Sequence, residues 1–340
     1  MNTIKKILKW LVPLALGLFL FWLVFRKMDF SAMKDILAQG LQWPWIIAFI
    51  VLFFCPIILR ALRWSQLIDG CMPGFKTNRK YAILAMFSAY GANLLFPRLG
   101  DVLRCGQMKQ HDGIPFSKAL GTMVTERLFD GLCILLMALS VLVIEADVLR
   151  SFFGDNPEKA QGWMSVLLSW KLWLGIVLFV LLVVLVLRYL KNKACYKKIQ
   201  GVFHHVWMGM SSIGYLRQPW LFVLYTILIW LFYFLSFFVG KYFFLEPLGL
   251  DLAAMYTANV MANISTIAPV QGGIGAWHFM VIYSLGFYGV SAAQAGVFAL
   301  LMHGVNTIMT AITGVIAYFW MSLQPAKSSQ ASSESTSGLV

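Results

Sequence analysis

Six apolar runs, at about residues 8–25, 44–62, 119–144, 171–190, 219–244 and 292–322, are each long enough to cross a bilayer as a helix, which takes roughly 17–25 residues. Two further apolar regions, about 81–118 and 252–290, are each interrupted midway by Pro and Gly. Trp43, Trp45, Trp170, Trp173 and Trp220 fall at run ends, where aromatic belts meet the membrane interface. The pattern predicts an all-α polytopic membrane protein with about six full spans and two broken helix pairs.

Composition narrows this further. The 340 residues are 60% hydrophobic and 12% charged, with mean hydropathy +0.76, which no soluble core matches. The formal charge of +13 does not point to nucleic acid, because the basic residues lie in loops between apolar runs and no long soluble segment exists to dock a duplex. They read as topology signals and contacts to anionic lipid. Lys5, Lys6 and Lys9 precede the first run as in a signal peptide, but Phe25, Arg26 and Lys27 end it without a small-x-small cleavage site, so it reads as a retained span.

Loop charge sets the direction of each crossing. The N-terminus, the loop around 63–80 with Arg63, Lys76, Arg79 and Lys80, and the loop around 188–218 are basic and expected to be cytoplasmic. Loop 145–170, with Glu145, Asp147, Asp155 and Glu158, is expected outside. The chain is then inside at Lys80 and outside by Glu145, with the full span 119–144 still to cross. Residues 81–118 must therefore return to their own side, which makes them a re-entrant pair broken at Asn93–Gly100, tolerable only where its freed backbone groups face protein or water. The same parity makes 252–290 a second re-entrant pair, entering from the opposite face.

The second break, Asn263 to His278, has the grammar of the first: Asn, Pro, Gly, then a side chain able to carry positive charge. Each is followed by a Gly-aliphatic pair (Gly113 and Ile114; Gly289 and Val290) and, fourteen positions after that Gly, by Arg127 or His303. Shared layout with opposite entry sides is the mark of an inverted repeat, which in transporters places a site near the midplane between broken helices. The expected organisation is a single transmembrane domain over 1–322, with halves of about 1–190 and 219–322 joined by a basic amphipathic linker at 191–218, and a disordered Ser-rich cytoplasmic tail at 323–340.

Within this frame a few residues can carry chemistry. Glu126, Arg127 and Asp130 lie in an apolar run where a central charge costs about 2.5–3.5 kcal/mol, and their spacing puts all three on one helix face. They read either as an ion pair pinning helices together or as the wall of a polar cavity for a charged lipid headgroup. Arg98 and Arg104 lie six apart across Gly100, and a returning helix starting near Pro97 would bring guanidiniums and free backbone donors to a phosphate. Arg104 fits an interfacial anchor equally well. Gly272, Gly273 and Gly275 after Pro269 fit close helix packing or a backbone that must approach something closely. His278 and His303 read as neutral hydrogen-bonding core residues or, together, as a proton-sensitive charge. Asn93, Gln271, Asn263, Gln294 and Asn306 are candidates to line the same space.

Several classes of chemistry find no support in the sequence. Cys55, Cys71, Cys105, Cys133 and Cys195 are scattered without Cys-x-x-Cys spacing, and the adjacent His204 and His205 do not share a helix face, so neither a disulfide framework nor a metal site is expected. No nucleotide-binding or hydrolase motif is present, and no cofactor is expected.

The chain resembles the lysylphosphatidylglycerol synthase transmembrane, or flippase-like, family of prokaryotic membrane proteins. The resemblance rests on Asn93, Pro97, Arg98, Gly100, Asp101 and Arg104; on Glu126, Arg127 and Asp130; on Pro269, Gly272, Gly273 and Gly275; and on Arg60, Arg63 and Trp64 as an Arg-x-x-Arg-Trp element. It departs at His278, where the family often has Glu, and near His303, where the family often has Arg. The soluble aminoacyl-transfer domain that some relatives carry is not expected here, since a Ser-rich stretch follows Trp320. The resemblance implies lipid translocation in a prokaryotic inner membrane; the loop charges put both termini on the cytoplasmic side, and without an enzyme motif no enzymatic activity is expected. The expected ligand is an anionic or zwitterionic phospholipid or a polyprenyl-phosphate conjugate. The alternative is a non-transporting scaffold for an envelope glycosyltransferase or lipid synthase. Membrane lipids are the expected partners, with a second copy of the chain or an envelope-biosynthesis enzyme as the protein partner.

Overall fold

The computed structural model describes residues 3–26, 28–145, 174, 214, 216–268, 270–324 and 326, with side chains described from Leu14 onward. All but residue 174 of the run expected at 171–190, most of the linker at 191–218 with His204 and His205, the tail from 327, and Pro269 lie outside the described residues.

Among the described residues the chain is almost entirely helical, without a strand; the one extended pairing is an isolated bridge between Leu41 and Phe244. Ten α-helices follow one another: α1 Thr3–Phe25, α2 Phe30–Ala38, α3 Trp43–Cys71, α4 Arg79–Leu95, α5 Leu99–Asp112, α6 Phe116–Ile144, α7 Pro219–Val239, α8 Leu252–Ile264, α9 Ala276–Phe287 and α10 Ala292–Ser322. Four of them, α3, α6, α7 with its 3-10 extension to Tyr242, and α10, are long and apolar enough to cross a membrane. Their surfaces are inverted relative to a soluble protein. On α6, Leu128, Leu132, Leu135, Leu136, Leu139 and Val143 are exposed, while Glu126 on the same helix is fully buried. Such an apolar girdle is what hydrocarbon wets.

One boundary departs from expectation. The loop expected from about residue 63 begins only after Cys71, because α3 continues through Arg60 and Arg63 with both side chains buried. Charge ends an apolar run only when water or headgroups must solvate it, and here partners inside the protein do so.

The two interrupted regions form helix–break–helix units. In the first, Phe96, Pro97 and Arg98 separate α4 from α5. Leu99 N donates to Phe96 O at 3.1 Å and Arg98 has φ 67°, ψ 1°, so Phe96–Leu99 has the hydrogen bond and the left-handed third residue of a type II turn, with Pro97 at its favoured second place. Asn93 Oδ1 then accepts from Gly100 N at 2.8 Å and caps α5 across the break. Gly100 packs directly on α4, where a Cβ would run into the Ala89 carbonyl. In the second unit, α8 ends in a 3-10 turn at Ser265–Ile267, another covers Gln271–Gly273, and α9 starts after Gly275. Gly275 has φ +81°, and a Cβ there would lie 2.6 Å from Gly17 O of α1, so no other residue fits.

Each unit packs beside its own following helix, α5 on α6 and α9 on α10. Each unit's first helix also packs on the other half's long helix, α4 on α10 and α8 on α6, while α3 and α7 pack together. The α4–α10 contact is intimate: a Cβ on Gly91 would sit 2.8 Å from Gly314 Cα. Two apolar cores result. One centres on Trp64, Met86, Met108 and Ile114 and takes in Met321 of α10. The other centres on Met255, Phe243 and Phe298 and takes in Phe25 of α1 and Met33 of α2.

Candidate functional site: a buried ion network and a histidine pair

Three helices converge on one ion network. α3 supplies Arg60 and Arg63, α5 supplies Asp101 and Arg104, and α6 supplies Glu126, Arg127 and Asp130; the spacings of three and four put each set on one helix face. Asp130 is gripped by Arg60 Nη1 at 2.7 Å and Arg63 Nη2 at 2.6 Å. Glu126 Oε1 meets Arg60 at 3.1 Å and Arg63 at 3.7 Å, while its Oε2 meets Arg104 Nη1 at 2.8 Å. Asp101 Oδ1 bridges Arg104 at 3.2 Å and Arg127 at 3.0 Å, and Arg127 lies 3.8 Å from Asp130.

Aromatic rings wall the network. The Arg104 guanidinium lies 4.5 Å from the Trp64 ring centre, close enough for a cation–π contact, and Trp64 Nε1 donates to Thr122 Oγ1 at 3.1 Å. Arg60 lies over Tyr233 and Arg63 over Phe222, both rings from α7, and Tyr233 shares a hydrogen bond of 2.8 Å with Tyr90.

The charges do not cancel. Among the described residues four guanidiniums, which stay protonated, meet three carboxylates each held by at least two of them, leaving one positive charge in excess. Uncompensated charge in a low-dielectric interior is costly, so the network has electrostatic room for one anion. Access is uneven: the side chains of Arg60, Arg63 and Arg104 are at most 5% exposed, whereas that of Arg127 is 32% exposed. Arg98, exposed at the tip of the break before α5, forms no ion pair among the described residues and bears electrostatically on Asp101.

A second polar group lies at the other break. His303 Nε2 and Gly272 O are 2.8 Å apart, and because a carbonyl only accepts, that nitrogen carries the proton. His303 Nδ1 then accepts from Thr307 Oγ1 at 3.3 Å. His278, buried in the first turn of α9, lies with its ring centre 4.6 Å from that of His303, and its Nδ1 has no partner. Phe21 and Phe25 of α1 meet His278 edge-on, and Trp277 stands against both imidazoles. The two breaks touch where Gln271 Nε2 donates to Leu95 O at 2.8 Å.

The residues singled out from sequence thus divide. Arg104, Glu126, Arg127 and Asp130 come together, with Arg104 enclosed in ion pairs and the Trp64 contact. Gln271, His278 and His303 gather at the second break, and no ion pair or hydrogen bond joins the histidines to the arginine network among the described residues. Asn93 is occupied in capping Gly100. Pro97 and Gly100 shape the first break, Gly272, Gly273 and Gly275 the second, all three with positive φ. Asn263 and Asn306 bond within their own helices, and Gln294 N donates to Ser291 Oγ, which caps α10. Arg60, Arg63 and Asp101 are not among the candidates read from the sequence, although the same motifs contain them. The readable signal is two arginines three apart beside a Trp, with two carboxylates four apart in a later apolar run.

The comparisons point to a family of membrane proteins. Residues 10–314 match the family described as Lysylphosphatidylglycerol synthase TM region. A UPF0104 membrane protein of Methanocaldococcus jannaschii is 25% identical over 238 residues, which cover 67% of this chain and 92% of that protein. No solved structure matches the chain. With most of its length inside the family match, the chain belongs to the lysylphosphatidylglycerol synthase TM-region family.

Proposed function

We propose that the protein is a membrane lipid translocator, a carrier and not an enzyme, whose ligand is the phosphate-bearing headgroup of an anionic or zwitterionic phospholipid or polyprenyl-phosphate lipid. The observation that carries this is the surplus cation of the buried network and its exposure at Arg127. A phosphodiester held there would accept from Arg127 and Arg98 and lie near the N-terminal amides of α5, which favour negative charge. Arg60, Arg63 and Arg104 act as positioning residues, fixing the acids that orient Arg127. Acyl chains would remain against the exposed leucines of α6.

The two broken units serve this reading as re-entrant pairs. At about 1.5 Å per residue, α4 and α5 reach about 25 and 21 Å, and α8 and α9 about 20 and 18 Å, each short of the roughly 30 Å hydrocarbon layer. The reciprocal packing of α4 on α10 and α8 on α6, with matching α5–α6 and α9–α10 contacts, supports an inverted repeat within one domain over 1–322. Matched caps add to it: Gly113 and Gly289, both left-handed, are each followed by a residue bonding back to the preceding helix, Ile114 to Met108 and Val290 to Leu285. The two breaks would then gate from opposite faces of a prokaryotic cell membrane, with both termini cytoplasmic.

The test is leaflet exchange of labelled lipids in proteoliposomes. Arg127→Gln should fold normally and slow exchange of phosphate-bearing lipids by at least about tenfold, the worth of one charge-assisted contact. The enclosure of Arg60, Arg63 and Arg104 favours a second reading, a non-transporting scaffold for an envelope enzyme. A folded protein that accelerates no lipid's exchange would support it over the first.

A further inference from the structure

We propose that His278 and His303 form a proton-binding site that latches the second break: one proton taken up by the pair tightens the hold of His303 on the Gly272 carbonyl and keeps the break closed. The argument is geometric. His303 Nε2 already donates to Gly272 O at 2.8 Å, and a Cβ on the adjoining Gly273 would lie 3.9 Å from that nitrogen, so the imidazole lies beside the backbone of the break. When Nδ1 of His303 gains a proton, Thr307 Oγ1, at 3.3 Å, turns from donor to acceptor, and both N–H groups of the imidazolium are satisfied without movement of the ring. The Gly272 bond then becomes charge-assisted, roughly twice as strong as a neutral one.

His278 completes the site. Its Nδ1 is buried and unpartnered, and its ring centre lies 4.6 Å from that of His303. Left neutral, it sets a polar ring beside the His303 imidazolium, while two imidazoliums at this separation would repel. The surrounding groups bring no counter-charge to the pair. Phe21 and Phe25 face it from α1, Trp277 from α9, Thr307 from α10, and the Gly272 and Gly273 backbone from the break. No charged side chain among the described residues pairs with either ring. The latch bears on the contact between the breaks, because Gln271, which reaches Leu95 O, immediately precedes Gly272. Its use in moving lipid rests on the translocation reading; the latch itself does not.

The test is a single cysteine at Val270, which is 6% exposed beside Gly17, in a chain whose native cysteines are replaced. Its reaction with a membrane-impermeant thiosulfonate is followed in proteoliposomes between about pH 5.5 and about pH 8, either side of the usual imidazole range, and normalised to a free thiol at each pH. Labelling should be roughly five- to tenfold faster at the alkaline end, the ratio of a neutral to a charge-assisted latch. His303→Gln keeps an amide donor for Gly272 O but cannot titrate, and should flatten the profile. His278→Phe keeps the ring volume and should move the midpoint to lower pH.

A flat wild-type profile, or a pH dependence that survives in His303→Gln, overturns the latch; an unmoved midpoint in His278→Phe removes His278 from it. Lipid exchange measured alongside separates the two ideas. Exchange without pH-dependent labelling retains translocation and discards the latch, and pH-dependent labelling without any exchange does the reverse.

Discussion

Gln271 and Leu95, 176 positions apart, join the two helix breaks through one hydrogen bond: the side-chain amide donates to the main-chain carbonyl at 2.8 Å. Leu95 is the last residue of α4, so its carbonyl has no helical partner and depends on a donor from elsewhere. The contact between the breaks is therefore specific and thin.

Gln271→Leu keeps the side-chain volume and removes the donor. Leaving the Leu95 carbonyl unsatisfied costs about 1–3 kcal/mol, enough to part the breaks without unfolding the bundle. A cysteine placed at Leu94, whose side chain meets Gly272, should then become labelled severalfold faster, with an unchanged thermal midpoint within a few degrees. Equal labelling in both backgrounds would show that other contacts hold the breaks together.

Glu126 is the network's keystone, since its two oxygens serve Arg60, Arg63 and Arg104. Glu126→Gln raises the surplus from one positive charge to two in a fully buried position. Removing a partner from a buried ion pair costs about 3–5 kcal/mol, so this variant should be severely destabilised in thermal unfolding, whereas Arg127→Gln, partly exposed, should melt close to wild type. Comparable melting of the two would mean that the network is wetter than its burial indicates.

Arg98 combines a usable charge with an unfavourable backbone. Its φ of 67° is the one positive value outside glycine among the described residues, and for a side chain larger than Gly that conformation costs about 1–2 kcal/mol. Arg98→Gly should relax the turn and hold or raise the thermal midpoint while reducing exchange of phosphate-bearing lipids. Full exchange with the glycine would take Arg98 out of the headgroup site.

Much of the frame is legible in the sequence, and the reasons for the rest are particular. Pro97 with Gly100, and the glycines after Pro269, mark where helices stop, because backbone rules act within a few residues. Glu126, Arg127 and Asp130 stand out because charge inside an apolar run requires an account. Arg60 and Arg63 were harder, since charge at the end of an apolar run is the ordinary sign of a membrane surface and only the partner helix, α6, reveals their burial. The position of Arg104 depends on Trp64 and Glu126 together, a coincidence of three helices that no local pattern encodes. Asn93 shows the converse: a polar residue beside a break reads as a ligand until its bond to Gly100 N accounts for its oxygen.

The two apolar cores are laced by opposite ends of the polypeptide. Phe25 and Met33, made before most of these helices, are buried in the core that α8, α9 and α10 complete, and Met321, made after them, closes the core built by α3 to α6. During synthesis α1 and α2 therefore wait in the bilayer for most of the protein to arrive, and Gly91 stays uncovered until Gly314 emerges. Trimming either terminus would loosen the far half of the molecule and spare the near one.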